Sequence, residues 1–137
     1  MSTAYYALFH QVLRTAAQRF MGPNLERSAG YSLLYRSFDH QHMKAVCVAL
    51  SVSPLKDKLQ RQLHRTAVSQ DMRDFANAFS DFQELRHLAD YDPGTVFLPS
   101  GVISLINSAD AAITAFDRVA PAEQTDVLAL MMVKAKG

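Results

Sequence analysis

The fold is decided by one long periodic stretch, residues 69–91, which read SQDMRDFANAFSDFQELRHLADY. On a helical wheel of about 100° per residue, Phe75, Phe79 and Phe82 fall within about 60° of one another. Ser69 is suited to cap the start of such a helix, because its hydroxyl can accept a backbone N–H of the first turn. The pattern therefore predicts an amphipathic helix that buries an aromatic face.

The same face carries a charged side chain, Arg86, in the middle of the aromatic arc. Asp90 follows four residues later on the same side of the helix, within reach of Arg86. Because an unpaired buried charge is costly, the guanidinium must be paired, reach solvent or line a cleft. Two interpretations stay open: an Arg86–Asp90 pair that closes the end of a bundle, or a polar site for phosphate or RNA, which suits a planar guanidinium.

Helical periodicity recurs on both sides of this stretch. Apolar residues return every three or four positions in further segments, which cover residues 2–21, 28–39, 40–52, 54–65, 100–119 and a last helix from Pro121. Phe20 and Ile106 are among the side chains predicted to pack inward. No segment shows the period-two alternation of strands. We therefore predict one all-α domain over residues 1–137. Because the loops between adjacent helices are short, we expect an up-and-down antiparallel bundle of about five to six helices.

Composition excludes several classes of protein. The 14 basic and 13 acidic residues give a formal net charge of +1, unlike a strongly basic protein that coats nucleic acid. The single cysteine, Cys47, cannot form an internal disulfide, is expected to pack in the core, and fits a reducing, cytoplasmic setting. No apolar run reaches membrane-spanning length and no signal peptide is evident, so we expect no membrane. No metal or other cofactor is predicted.

Two segments resemble a known family. Residues 2–10, STAYYALFH, resemble the AYYAxFH helix of HEPN-domain proteins, and residues 84–93, ELRHLADYDP, resemble the R…ADY end of a later helix in that family. The resemblance implies a helical bundle that forms a homodimer, with the polar motif near the dimer cleft. It also implies RNA or a nucleotide as ligand, since many members are metal-independent ribonucleases, often toxins paired with a nucleotidyltransferase-like antitoxin. Other members are noncatalytic binding domains.

The sequence departs from the family in two ways. Nuclease members have a histidine after the motif arginine with four to six residues between, but those positions after Arg86 hold Tyr91, Asp92 and Pro93. His87 is adjacent to Arg86 and rotated by about 100°, so it cannot simply take that place. Family members usually have another helix before the AYYAxFH segment, where this sequence begins. Either the sequence starts late, at Met1, or the helix is missing, and in the second case an uncovered apolar groove would favour dimerisation.

We therefore predict an RNA- or nucleotide-engaging domain in which Arg86 holds a phosphate and Asp90 orients Arg86. The alternative is a noncatalytic interaction or dimerisation module in which these two residues form a structural pair. The candidate catalytic residues are Arg86 and Asp90, and the candidate binding residues are His87, Tyr91, Tyr6 and His10. Tyr6 and His10 share a face of the first helix, although a core position is the stronger expectation for this histidine.

A second polar group surrounds a helix junction. Arg36 and His42 have the nuclease spacing, but they lie on the wrong segment and across a helix break. Asp39, His40 and His42 could contribute to a zinc site only with a fourth ligand that the sequence does not offer. The basic stretch 56–65 could contact phosphates. It has no interleaved aromatic residue for base stacking, so we expect a solvated face there.

Overall fold

The computed structural model describes residues 2–22, 29–91 and 99–133. These residues form seven helices and no strand, which confirms the predicted all-α class for the part of the chain described. In chain order the helices are α1 (Ser2–Met21), α2 (Ala29–Ser37), α3 (His40–Leu50), α4 (Asp57–Leu63), α5 (Gln70–Tyr91), α6 (Pro99–Arg118) and α7 (Pro121–Met132). The number exceeds the predicted five to six and equals the number of periodic segments in the sequence; α2 and α4 are the short ones, with 9 and 7 residues.

Local capping explains where three of the helices begin or end. The Asp39 carboxylate accepts the backbone N–H groups of Gln41 and His42 and so starts α3. The Ser69 hydroxyl accepts the Met72 N–H at 3.2 Å, which confirms the predicted cap of α5. α4 ends where His64 takes the left-handed conformation, with φ 55°.

The core forms around α5, which packs against α1, α3 and α6. Phe75, Phe79 and Phe82 are all buried, as the periodicity predicts. The Phe75 ring meets the ring of Phe116 on α6, with centroids 4.6 Å apart. Cys47 on α3 is fully buried, and burial raises the pKa of its thiol, so it acts as a packing residue. Among the described residues, no helix has the length and apolarity needed to cross a bilayer.

Two inward-facing predictions are wrong. Phe20, in the last turn of α1, is 42% exposed, and Ile106 on α6 is 50% exposed. Periodicity identifies the apolar face of a helix, but it does not say which turns of that face a neighbouring helix covers.

A buried carboxylate ties α7 to the start of α5. Glu123, only 6% exposed, accepts the Ser69 backbone N–H at 2.7 Å on one oxygen and the Ser69 hydroxyl at 2.7 Å on the other. Arg65 adds an ion pair at 3.2 Å and also contacts Asp126 at 2.9 Å. We call Glu123, Ser69 and Arg65 the carboxylate cluster; the charge of Glu123 is met by three donors inside the fold.

Candidate functional site

Arg86 lies against two aromatic rings of α1. Its guanidinium carbon is 5.3 Å from the centroid of the Tyr5 ring and 5.0 Å from that of the Tyr6 ring. Both distances are within the range of a cation–π interaction. Tyr5 is fully buried, whereas Tyr6 and Arg86 are half-buried. The arginine that interrupts the aromatic face of α5 is therefore held at the edge of the core by neighbouring residues of another helix.

His40, the first residue of α3, belongs to the same group of side chains. Its Nδ1 shares a hydrogen bond with the Tyr5 hydroxyl, and its ring stacks on Phe9 with centroids 4.2 Å apart. The Gln83 side-chain amide donates to the His40 carbonyl at 3.0 Å, which links α5 to the start of α3. We call Tyr5, Tyr6, His40 and Arg86 the ring cluster.

The electrostatics of the ring cluster set the charge of each group. Burial, and secondly the positive charge of Arg86, lower the pKa of His40, while Asp39 acts in the opposite direction. Burial raises the pKa of Tyr5 despite the opposing effect of Arg86. At neutral pH the cluster therefore combines a permanent cation with a neutral imidazole and a neutral phenol. Such a set can attract an anion and accept a proton.

His10 lies on the surface rather than in the core. Its side chain is exposed, with its ring centroid 6.2 Å from the Tyr6 ring and 5.9 Å from the Phe9 ring. The expectation of a satisfied core histidine is therefore wrong, because the face that His10 shares with Tyr6 runs along the margin of the α1 core. His10 instead presents its ring beside Tyr6, the residue that contacts Arg86.

His87 lies on a different side of α5. It is exposed and borders an open groove of about 410 Å³ between α3 and α5, together with Gln83 and Glu84. Lys44 of α3 forms an ion pair with Glu84 at 3.1 Å in this groove. The sequence places His87 next to Arg86, but the rotation of the helix directs it to this groove.

Two predicted site residues cannot be placed. α5 runs through Asp90 and Tyr91, but their side chains lie outside the described residues. The Arg86–Asp90 pair and the binding role of Tyr91 therefore stay predictions.

The polar group at the α2–α3 junction serves separate purposes. Asp39 caps α3, His42 Nε2 is 3.0 Å from the Leu130 carbonyl oxygen, and Arg36 is exposed. Within the described ranges, no group of three histidine, cysteine or carboxylate side chains is arranged to hold a metal ion. Of this junction group, His40 lies in the ring cluster, and no spacing along the chain could have found it. Its position there depends on how α3 packs against α5.

The chain matches no protein-family model, no curated protein and no solved structure. Its function must therefore be inferred from the chemistry of its own side chains. The ring cluster offers the most specific chemistry of the described residues, since it combines a fixed cation, a neutral imidazole and accessible ring surface.

Proposed function

We propose that the ring cluster binds a phosphate group of an RNA or a nucleotide. The observation that carries this proposal is the position of the Arg86 guanidinium, 5.3 Å and 5.0 Å from two tyrosine rings. A guanidinium keeps its positive charge at any physiological pH, and its planar fork of N–H donors matches the oxygens of a phosphate group. The resemblance of residues 2–10 and 84–93 to HEPN-domain proteins supports the same ligand class.

The rings beside Arg86 add a reason to prefer a nucleotide over a simple anion. Tyr6 is half-buried and His10 is exposed, and their centroids are 6.2 Å apart. Stacking of a base on an aromatic side chain contributes about 1–3 kcal/mol. A ligand with a phosphate at Arg86 and a base over Tyr6 or His10 would use both kinds of surface.

The cluster also contains groups suited to RNA cleavage without a metal. Such a reaction needs a base for the 2′-hydroxyl and a positive charge near the phosphorane. The neutral imidazole of His40 fits the first role and Arg86 fits the second. We expect any RNA cleavage by this protein to require both residues. On the same resemblance we expect a cytoplasmic homodimer, paired in the toxin case with a nucleotidyltransferase-like antitoxin.

A noncatalytic interaction module is the second candidate. The same ring contacts of Arg86 that orient it for a ligand also join α5 to α1, and the sequence places Asp90 one turn away. In that case Arg86 would stabilise the end of the bundle, and its loss would lower stability without changing any affinity for RNA.

Fluorescence anisotropy with a labelled single-stranded RNA of about ten nucleotides separates the two candidates. We expect Arg86→Met to weaken binding by about tenfold or more, the loss of a charge-assisted contact. The matched control is Arg61→Met, because Arg61 is an exposed arginine on α4. We expect the control to retain the affinity of the unmodified protein.

Thermal unfolding of the same variants completes the experiment. If Arg86→Met lowers stability but binds RNA like the unmodified protein, Arg86 is a structural residue and the proposed function is wrong. If both arginine variants lose affinity equally, binding is a general effect of positive charge rather than a property of the ring cluster.

A further inference from the structure

A second surface, away from the ring cluster, lies on the outer face of α3 between α4 and α7. Two adjoining depressions of about 450 Å³ and about 410 Å³ share three of their lining residues. We call this surface the α3 groove and define it by Ala45, Val48, Ala49, Val52, Lys56 and Leu130. The ring cluster includes one residue of α3, His40, at its start.

The surface of the α3 groove is mostly apolar. Val48 and Val52 are 49% and 44% exposed, and Val133 at the edge is 63% exposed. Clustered exposed apolar side chains mark interaction surfaces more often than single ones do. Ala45 and Ala49 lie one turn apart and are small, so a second helix could approach the backbone of α3 closely.

The rim of the groove is positively charged. Lys56 and Lys58 line it where α4 begins, and neither forms an ion pair within the described residues. No aspartate or glutamate lines either depression among the residues that the structure describes. Lys44, at the opposite edge, is partly neutralised by its ion pair with Glu84. A partner that complements this rim must carry negative charge, which a protein supplies as aspartate or glutamate.

We infer that the α3 groove binds an amphipathic helix of a partner protein, with an apolar face flanked by aspartate or glutamate. The apolar side chains would cover the valines and the carboxylates would reach Lys56 and Lys58, as in other complexes of a helix in a groove. A second copy of this chain fits less well. A two-fold interface would bring two lysine rims together, and like charges repel.

NMR titration of the ¹⁵N-labelled protein tests this inference directly. The probe is a synthetic helical peptide of about 18 residues with leucine at i, i+3, i+4 and i+7 and glutamate on both flanks. The matched peptide has lysine in place of glutamate. We expect saturable shifts of the Ala45 and Ala49 amide signals with the glutamate peptide, and affinity lower by about tenfold or more with the lysine peptide.

Variants of the protein locate the binding surface. We expect the double variant Lys56→Glu/Lys58→Glu to bind the glutamate peptide with about tenfold lower affinity and the lysine peptide with higher affinity. Arg61→Glu is the matched control, since Arg61 is exposed on the same helix but does not line the groove. Val48→Asp places a charge on the apolar surface, and we expect it to abolish binding while circular dichroism shows an intact fold.

Several results would overturn the inference. Equal affinity for both peptides, or shifts away from α3, would show that carboxylates at this groove do not matter. Sedimentation of a dimer that Val48→Asp dissociates would make the groove a self-interface. Binding to phosphatidylglycerol vesicles, lost in the double variant and without affinity for the glutamate peptide, would make the occupant a lipid surface. None of these outcomes depends on whether the ring cluster binds phosphate.

Discussion

Glu123 and Arg86, a buried and a half-buried charged residue of the described fold, have different surroundings. The carboxylate of Glu123 receives two hydrogen bonds from Ser69 and an ion pair from Arg65. Arg86 lies instead against the faces of two tyrosine rings, beside an imidazole that its charge helps to keep neutral. Donors that saturate a charge indicate a structural role. Rings that contact a guanidinium fix its position, and the proposed phosphate site requires a guanidinium that is held in place at the edge of the core.

The largest effect on stability is expected in the carboxylate cluster. Glu123→Ala removes a buried acceptor and leaves the Ser69 N–H and Arg65 without it, so we predict a loss of about 3 kcal/mol in the free energy of unfolding. Asp126→Ala is the matched control, because it removes the other carboxylate that pairs with Arg65. The Asp126 side chain is 46% exposed. We predict a loss below about 1 kcal/mol for it. Urea unfolding checks both, and equal losses would contradict the structural assignment.

Within the ring cluster, the hydroxyl of Tyr5 is expected to matter less than Glu123. Tyr5→Phe keeps the ring below Arg86 but deprives His40 Nδ1 of its partner, which we predict to cost about 1 kcal/mol of unfolding free energy. Tyr35→Phe serves as control, since that ring is 40% exposed and meets the Phe9 ring at a right angle. A loss no larger than that of the control would show that the Tyr5–His40 hydrogen bond contributes nothing.

The pH dependence of stability follows from the lowered pKa of His40. The unfolded chain binds a proton near the ordinary pKa of 6.5, whereas the folded state resists protonation because of burial and the charge of Arg86, with Asp39 opposing. The contribution of His40 to the free energy of unfolding is therefore fully present above pH 6.5. It is lost as the pH falls from 6.5 through the lowered pKa of the folded state. We predict that His40→Gln flattens this slope in urea midpoints measured across that window. An unchanged slope would show that groups other than His40 cause the pH dependence of stability.

The smallest change in stability is expected for Arg86→Lys. An ammonium also interacts with ring faces, so we predict a change in unfolding free energy below about 0.5 kcal/mol. Lysine cannot offer the planar pair of donors of a guanidinium, and we therefore predict weaker RNA binding despite the unchanged charge. Thermal unfolding and anisotropy measure the two quantities. Full RNA affinity in this variant would mean that charge alone suffices.

The local pattern of the sequence predicts the parts of the fold that local physics controls. The bounds of α1 and the buried face of α5 follow from apolar spacing, and the Ser69 cap follows from residue type. The second role of Ser69, as a donor to Glu123, requires α7 to reach the start of α5. No spacing within one helix contains that information.

The candidate site likewise has one feature that the sequence predicts and others that depend on how the helices pack. Arg86 is recognisable because a charge inside an aromatic arc contradicts the helical pattern. The positions after Arg86 that nuclease members fill with histidine hold none, and the histidine of the ring cluster is His40 of α3, 46 positions earlier in the sequence. His10, which the pattern favours for the core, lies on the surface beside Tyr6. The site therefore depends on which helices pack together, and only the structure supplies that.

The most direct test of the contrast between Arg86 and Glu123 is a titration of the arginine side-chain Nε–H NMR signals with adenosine monophosphate. The Arg86 signal is assigned with Arg86→Met and the Arg65 signal with Arg65→Met. We predict a saturable shift of the Arg86 signal and none of the Arg65 signal, whose guanidinium is engaged by Glu123 and Asp126. An Arg86 signal that stays unchanged while the nucleotide binds elsewhere, or does not bind at all, would contradict the assignment of the ring cluster as a phosphate site.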